Sequence, residues 1–143
     1  LYDLWLEDYR KGEYRSISLF DNILLMLTDR VPNQCGMLGS CNMQFVVEAD
    51  GSVYPCDFYV LDEYCCGNVV EHSVEEIGNS DGWKRFWEKK NKTERSCEDC
   101  PFWKICRGGC KRQQGSYLWE DGCAYREFLE YAYPTLQIIA REI

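Results

Sequence analysis

Cys97-Glu98-Asp99-Cys100-Pro101-Phe102-Trp103-Lys104-Ile105-Cys106-Arg107-Gly108-Gly109-Cys110 is the stretch on which the fold turns. Its cysteines are separated by two, five and three residues, and Cys123 follows after twelve more. A loop this rich in cysteine and glycine is not held by packing alone. Short spacings let one loop wrap a metal centre and offer it several thiolates, while a more distant cysteine closes the site from another element. Upstream stand Cys35, Cys41 and Cys56, spaced by five and fourteen residues. These eight cysteines supply two complete sets of four, and Cys65 and Cys66 remain outside the pattern. His72 is the only histidine, so a site of two cysteines and two histidines is excluded within this chain.

Three chemistries compete for the thiols: iron–sulfur clusters, four-cysteine zinc sites and disulfides. A C-x2-C pair suits zinc well, so spacing alone leaves the choice open. No secretory signal is visible, which turns the reading from disulfides towards metal.

The 143 residues fit one domain, able to bury a real core. Five Trp, ten Tyr and six Phe supply packing material. A formal charge of −8 disfavours a nucleic-acid partner. The lysines and arginines between Lys84 and Arg112 read as a solvated helix face. Apolar runs such as Ile23-Leu24-Leu25-Met26-Leu27 are too short for a membrane span. The expected location is the cytoplasm. The chain starts at Leu1 without a methionine and is expected to be a piece of a longer protein.

The expected fold class is α+β: a small metal-organised domain with a two-stranded β-hairpin, several helices and long cysteine-bearing loops. Leu1, Leu4, Trp5 and Tyr9 recur on one helical face, as do Phe20, Ile23, Leu24 and Leu27 behind a capping box of Ser18 and Asp21. Pro32 ends that second helix. Residues 44–48 and 52–54 flank an Asp50-Gly51 turn as a hairpin, and Pro55 stops the pairing before Cys56. Gly67 and Gly78 mark bends. A third helix is expected from Ser80, with Trp83, Phe86 and Trp87 facing the core. The last helices use Tyr125, Phe128, Leu129 and Ala132, then Leu136, Ile139, Ala140 and Ile143, with Pro134 separating or kinking them.

The run Cys41-x9-Gly51-x4-Cys56, then Cys97-x2-Cys100-x5-Cys106-x3-Cys110, then Cys123, resembles the seven-cysteine signature of the SPASM domain. That domain follows the catalytic barrel in one branch of radical S-adenosylmethionine enzymes. Val53-Tyr54-Pro55-Cys56-Asp57-Phe58-Tyr59 and Gly67-Asn68-Val69 resemble the anaerobic sulfatase-maturating enzymes, which also carry an upstream cysteine, matched by Cys35. The resemblance implies two 4Fe-4S clusters, the first held by Cys35, Cys41, Cys56 and Cys110, the second by Cys97, Cys100, Cys106 and Cys123. It implies a helical linker over 1–34 leading from a barrel in cis, and a SPASM domain over 35–143. Enzymes of this type oxidise a cysteine or serine in a sulfatase peptide segment to formylglycine, and Asp57 matches the family's proposed base. A related branch modifies other peptides; the aspartate after Cys56 favours the maturase. The chain has no C-x3-C-x2-C motif, so the site for S-adenosylmethionine is expected to lie in the absent barrel and this portion alone to be inactive. A third reading is a zinc-stabilised interaction module. In a fragment purified in air, zinc can replace iron at the same thiols.

Several residues carry plainer readings. An aspartate at position 57 can simply cap backbone N–H groups. Cys65 and Cys66 read as ordinary thiols, and His72 as a surface residue near a turn. Arg107, Lys111 and Arg112 either offset cluster charge or face solvent. Gly108-Gly109 reads as a sharp turn that returns the chain to Cys110.

Overall fold

The computed structural model describes residues 1–89, 97, 99–119 and 122–143. Among them the chain order is α1 (Tyr2–Arg10), α2 (Ser18–Leu27), β1 (Val46–Val47), β2 (Ser52–Tyr54), β3 (Gly67–Asn68), α3 (Val74–Gly78), α4 (Asp81–Glu88), α5 (Trp103–Cys106), β4 (Leu118–Trp119), β5 (Gly122–Cys123) and α6 (Ala124–Glu142). This is the α+β class expected. The chain forms two compact units, one of Leu1–Ser40 with Lys92–Ile143, the other of Cys41–Asn91.

The first unit is a helical layer. Trp5 on α1, Phe20, Ile23 and Leu24 on α2, and Leu129, Ala132, Leu136 and Ile139 on α6 form its buried core. Aromatic rings fill much of it: Trp5 meets Phe20 edge to face at 5.1 Å, and Phe20 stacks on Phe128 at 5.8 Å. The Tyr2 hydroxyl donates to the Ala132 carbonyl at 3.3 Å, tying the first helix to the last.

The face of α1 differs from the expected one. Tyr2, Trp5, Leu6 and Tyr9 pack inward, whereas Leu1 and Leu4 are exposed at 81% and 66%. Residues 2, 5, 6 and 9 follow the i, i+3, i+4, i+7 stripe of a helix, and that stripe brings three rings to the core. The capping box at Ser18 is not formed. Ile17 is the N-cap and Ser18 lies within α2. The Asp21 carboxylate is instead engaged by the Tyr14 and Ser16 hydroxyls, both at 2.5 Å. Pro134 does not divide the last helix, which runs unbroken for 19 residues. The proline sits on its exposed side, away from the face that packs into the core.

The second unit is built on the hairpin. β1 and β2 pair antiparallel with Val46 opposite Tyr54 and Val47 opposite Val53. The Gln44 N–H donates to the Pro55 carbonyl and the Glu48 N–H to the Ser52 carbonyl, so pairing spans the expected stretch. The third strand is unexpected: Gly67 and Asn68, at a position that reads as a bend, pair antiparallel with β2. The Asn68 side chain donates to the Asp50 carbonyl at 2.9 Å and locks β3 to the hairpin turn. Ser73 and Glu76 form a full capping box on α3. On α4, Phe86 is buried but Trp87 is 58% exposed, against expectation. Trp87 lies on the same side of the helix as Trp83, one turn on, with the two ring centroids 5.7 Å apart, at the exposed edge of that face. Gly82 of α4 lies so close to the backbone of Tyr64 and Cys65 that no side chain fits there.

Candidate metal centre

All ten cysteines fall among the described residues, and no disulfide forms among those residues. The stretch 97–110 is shaped by its turns. α5 ends at Cys106, and Arg107, Gly108 and Gly109 then take positive φ values of 50°, 83° and 65°. Three consecutive left-handed residues reverse the chain and deliver Cys110, which is the sharp turn expected of the glycine pair. Gly109 also abuts the Tyr117 hydroxyl, leaving no space for a Cβ.

Cys97, Cys100, Cys106 and Cys123 line one cavity of about 70 Å³. Phe102, Leu118, Leu129 and the rings of Tyr117 and Tyr125 complete a largely apolar wall. The Cys106 thiol is pushed up to about 11, first by burial, then by the neighbouring sulfurs of Cys123, Cys97 and Cys100; a hydrogen bond from the Gly108 backbone pulls the other way. Cys123 is the N-cap of α6, and its Sγ accepts the Arg126 backbone N–H at 3.4 Å. That end of the helix favours a negatively charged sulfur. Burial holds the Tyr117 and Tyr125 phenols well above their ordinary value, with the Cys106 sulfur adding to it.

Among the described residues, no group of three or more His, Cys, Asp or Glu is gathered closely enough to hold a single metal ion. Four sulfurs on one zinc at ~2.3 Å would stand roughly 4 Å apart. The four thiols frame a space instead of a point. With four sulfurs, largely apolar walls and no carboxylate among the described lining residues, the cavity suits a thiolate-held inorganic core.

The other expected set is placed in pairs. Cys35 opens the tight turn Cys35–Met37 in the first unit. Gly36 lies against Cys110 of the same unit, where an added Cβ would stand 3.1 Å from the Cys110 Cβ. Cys41 and Cys56 belong to the second unit, and both pack on its cluster of Tyr59, Tyr64 and Phe86. Asn22, a polar residue buried on α2, sets the approach to Cys35: its Oδ1 accepts the Asn33 and Gln34 N–H groups at 2.5 and 3.0 Å. Sequence reading misses Asn22, though a lone amide amid the apolar stripe of α2 is its signal. It also misses Tyr117 and Tyr125 as cavity residues, whose only signal is their place between and just after cysteines.

Asp57 is exposed and begins the turn Asp57–Tyr59. Its Oδ1 accepts the Phe58 N–H at 3.1 Å and the Cys56 thiol at 3.3 Å. Cys66 is buried in the core of the second unit with Val53 and Ile77, and burial pushes its thiol up. Cys65 is half-buried and donates to the Gly67 carbonyl at 3.7 Å. His72 is exposed, with Nδ1 accepting the Asn68 N–H at 3.2 Å. No helix among the described residues is long and apolar enough to cross a membrane.

The SPASM family model, an iron–sulfur cluster-binding domain, matches residues 35–101. Over that stretch the chain is similar to SPASM domains. Its relatives are more particular. The whole chain is 41% identical to a cysteine-type anaerobic sulfatase-maturating enzyme of Clostridium perfringens strain 13, covering 40% of that protein. Over 80% of its length it is 43% identical to the cysteine-type enzyme of Clostridium novyi, covering 30% of that one. Its full length also matches solved structures of native anSMEcpe with bound AdoMet (39% identity, TM-score 0.84, 41% of that chain) and of native anSMEcpe with bound AdoMet and Kp18Cys peptide (38%, 0.84, 41%). The chain thus spans about 40% of the length of the C. perfringens relative.

Proposed function

We propose that this chain is the auxiliary-cluster portion of a cytoplasmic radical S-adenosylmethionine enzyme that converts a cysteine or serine of a sulfatase to formylglycine. Residues 1–34 lead from the barrel in cis that binds S-adenosylmethionine, and 35–143 form the auxiliary domain. Cys97, Cys100, Cys106 and Cys123 hold one 4Fe-4S cluster; Cys35, Cys41, Cys56 and Cys110 hold the other. When bound, such clusters supply one-electron acceptors in the domain. The chain's own part is to fix them, to keep water from the sulfurs with Phe102, Leu118 and Leu129, and to meet the substrate peptide. Asp57 removes the substrate proton. Its backbone is anchored by the neighbouring ligand Cys56, and the Phe58 N–H orients its carboxylate.

The observation that carries this reading is the cavity lined by four thiols. Its test is iron and acid-labile sulfide analysis of the full-length enzyme after anaerobic reconstitution. Cys106→Ala is expected to remove about four iron atoms per chain. A full zinc complement that resists replacement by iron, without broad visible absorption, would point to a zinc-stabilised module and overturn the proposal.

A further inference from the structure

Several polar groups around the four-thiol cavity are matched within the chain. The Arg126 N–H is taken by Cys123 Sγ. Gly108 makes its backbone hydrogen bond to Cys106. The Tyr117 hydroxyl donates to the Gly108 carbonyl at 3.1 Å. The Tyr125 hydroxyl, by contrast, is buried and has no hydrogen-bond partner among the described residues. Tyr125 lines the same cavity, beside Cys106 and Cys123. A buried hydroxyl without a partner calls for an acceptor that the protein chain does not itself supply. In this wall of thiols and hydrocarbon, the acceptor chemistry on offer is sulfur carrying negative charge.

We infer that the Tyr125 hydroxyl donates a hydrogen bond to a sulfur of the group held by Cys97, Cys100, Cys106 and Cys123, and so raises the reduction potential of that site. The inference rests on the cluster reading above. Hydrogen bonds to cluster sulfurs stabilise the more negative, reduced state, which moves the potential upward. Tyr125 is a positioning residue, acting on the electron acceptor and not on substrate. The role separates it from Tyr117, whose hydroxyl is already spent on a carbonyl.

The test is a redox titration of the full-length reconstituted enzyme, followed by electron paramagnetic resonance. Tyr125→Phe removes one oxygen and leaves the ring in place. The expected result is unchanged iron and sulfide content with one cluster signal shifted to more negative potential. A tenfold change in its oxidised-to-reduced ratio corresponds to about 59 mV for one electron. Tyr117→Phe is expected to leave that signal where it is. Full iron with an unmoved midpoint in Tyr125→Phe overturns the inference while the cluster reading stands. If Cys106→Ala leaves the iron count unchanged, the cluster reading falls and takes this inference with it. Electron–nuclear double resonance of the wild-type enzyme in deuterated water gives a reading that needs no variant. Three exchangeable couplings are expected at this site, from the Tyr125 hydroxyl and the Gly108 and Arg126 amides, and fewer than three overturns the proposal.

Discussion

Asp57 shows how one side chain holds two readings at once. Its Oδ1 caps the Phe58 N–H, which is the plain role of an aspartate in a loop, and the proposed role asks the same carboxylate to take a proton. Asp57→Asn keeps the shape and the capping acceptor but loses the basicity. Formylglycine yield in the full-length enzyme is expected to fall about 10²-fold or more, with iron content intact; retained yield would leave Asp57 a capping residue only. Tyr14 makes a second residue-scale case, far from any thiol. Its phenol is pushed from 10.0 up to about 12, first by burial and then by the Asp21 carboxylate it donates to. A proton held more tightly in the folded state stabilises it fully below pH 10, and that contribution is lost as pH rises towards 12. Tyr14 is 55% exposed, so solvent screens much of the effect. Thermal melts between pH 9 and 12 are expected to fall more steeply for wild type than for Tyr14→Phe, and parallel curves would remove Asp21 from the account. At this scale the gathering of Cys97, Cys100, Cys106 and Cys123 at one cavity is legible because short spacings put several thiols on one loop, while spacing leaves open what they hold. Asn22 and Tyr125 are not, since nothing in a sequence tells which amide or phenol is turned inward.

Among the elements, α6 carries the first unit and holds an oddity. Pro134 sits within it, lacking an N–H for the Glu130 carbonyl. The helix continues past it because Leu129, Ala132, Leu136 and Ile139 hold it in the core from both sides of the proline. Pro134→Ala restores the missing bond, and a gain of about 1–3 kcal/mol is expected in denaturant unfolding. No gain would mean that the proline's restriction of the unfolded chain offsets the lost bond. The periodicity of α2 and α6 is readable, since each has a clear apolar stripe. The buried face of α1 is harder to read, because Leu1 and Leu4 look more apolar than Tyr2, the residue that goes inward with Trp5 and Tyr9. β3 escapes entirely. Two residues, one of them glycine, carry no strand signal, and the pairing is reinforced by the Asn68 amide reaching across to Asp50.

For the whole molecule, the first unit is discontinuous, with Leu1–Ser40 joined by the chain's last third. Tyr2 bonds to Ala132 and Tyr131 to Asp3 across nearly the full sequence length. Such non-local closure leaves no mark in a local pattern, which is why the helices can be foreseen and their assembly cannot. The aromatic core of this unit contains no cysteine among its buried residues, and Cys100 packs against it only partly buried. Metal removal by a chelator under anaerobic conditions is therefore expected to leave most of the helical circular-dichroism signal, while limited proteolysis opens the stretch from Cys97 to Cys123. Loss of the helical signal on chelation would show that metal, not the aromatic core, holds the unit. Cys123 gives the arrangement a further use. One sulfur atom both closes the thiol ring and starts the longest helix. A neutral thiol is a poor acceptor and a charged sulfur a good one. The Arg126 amide proton is therefore expected to exchange slowly with solvent when a metal holds that sulfur ionised, and quickly once the metal is removed.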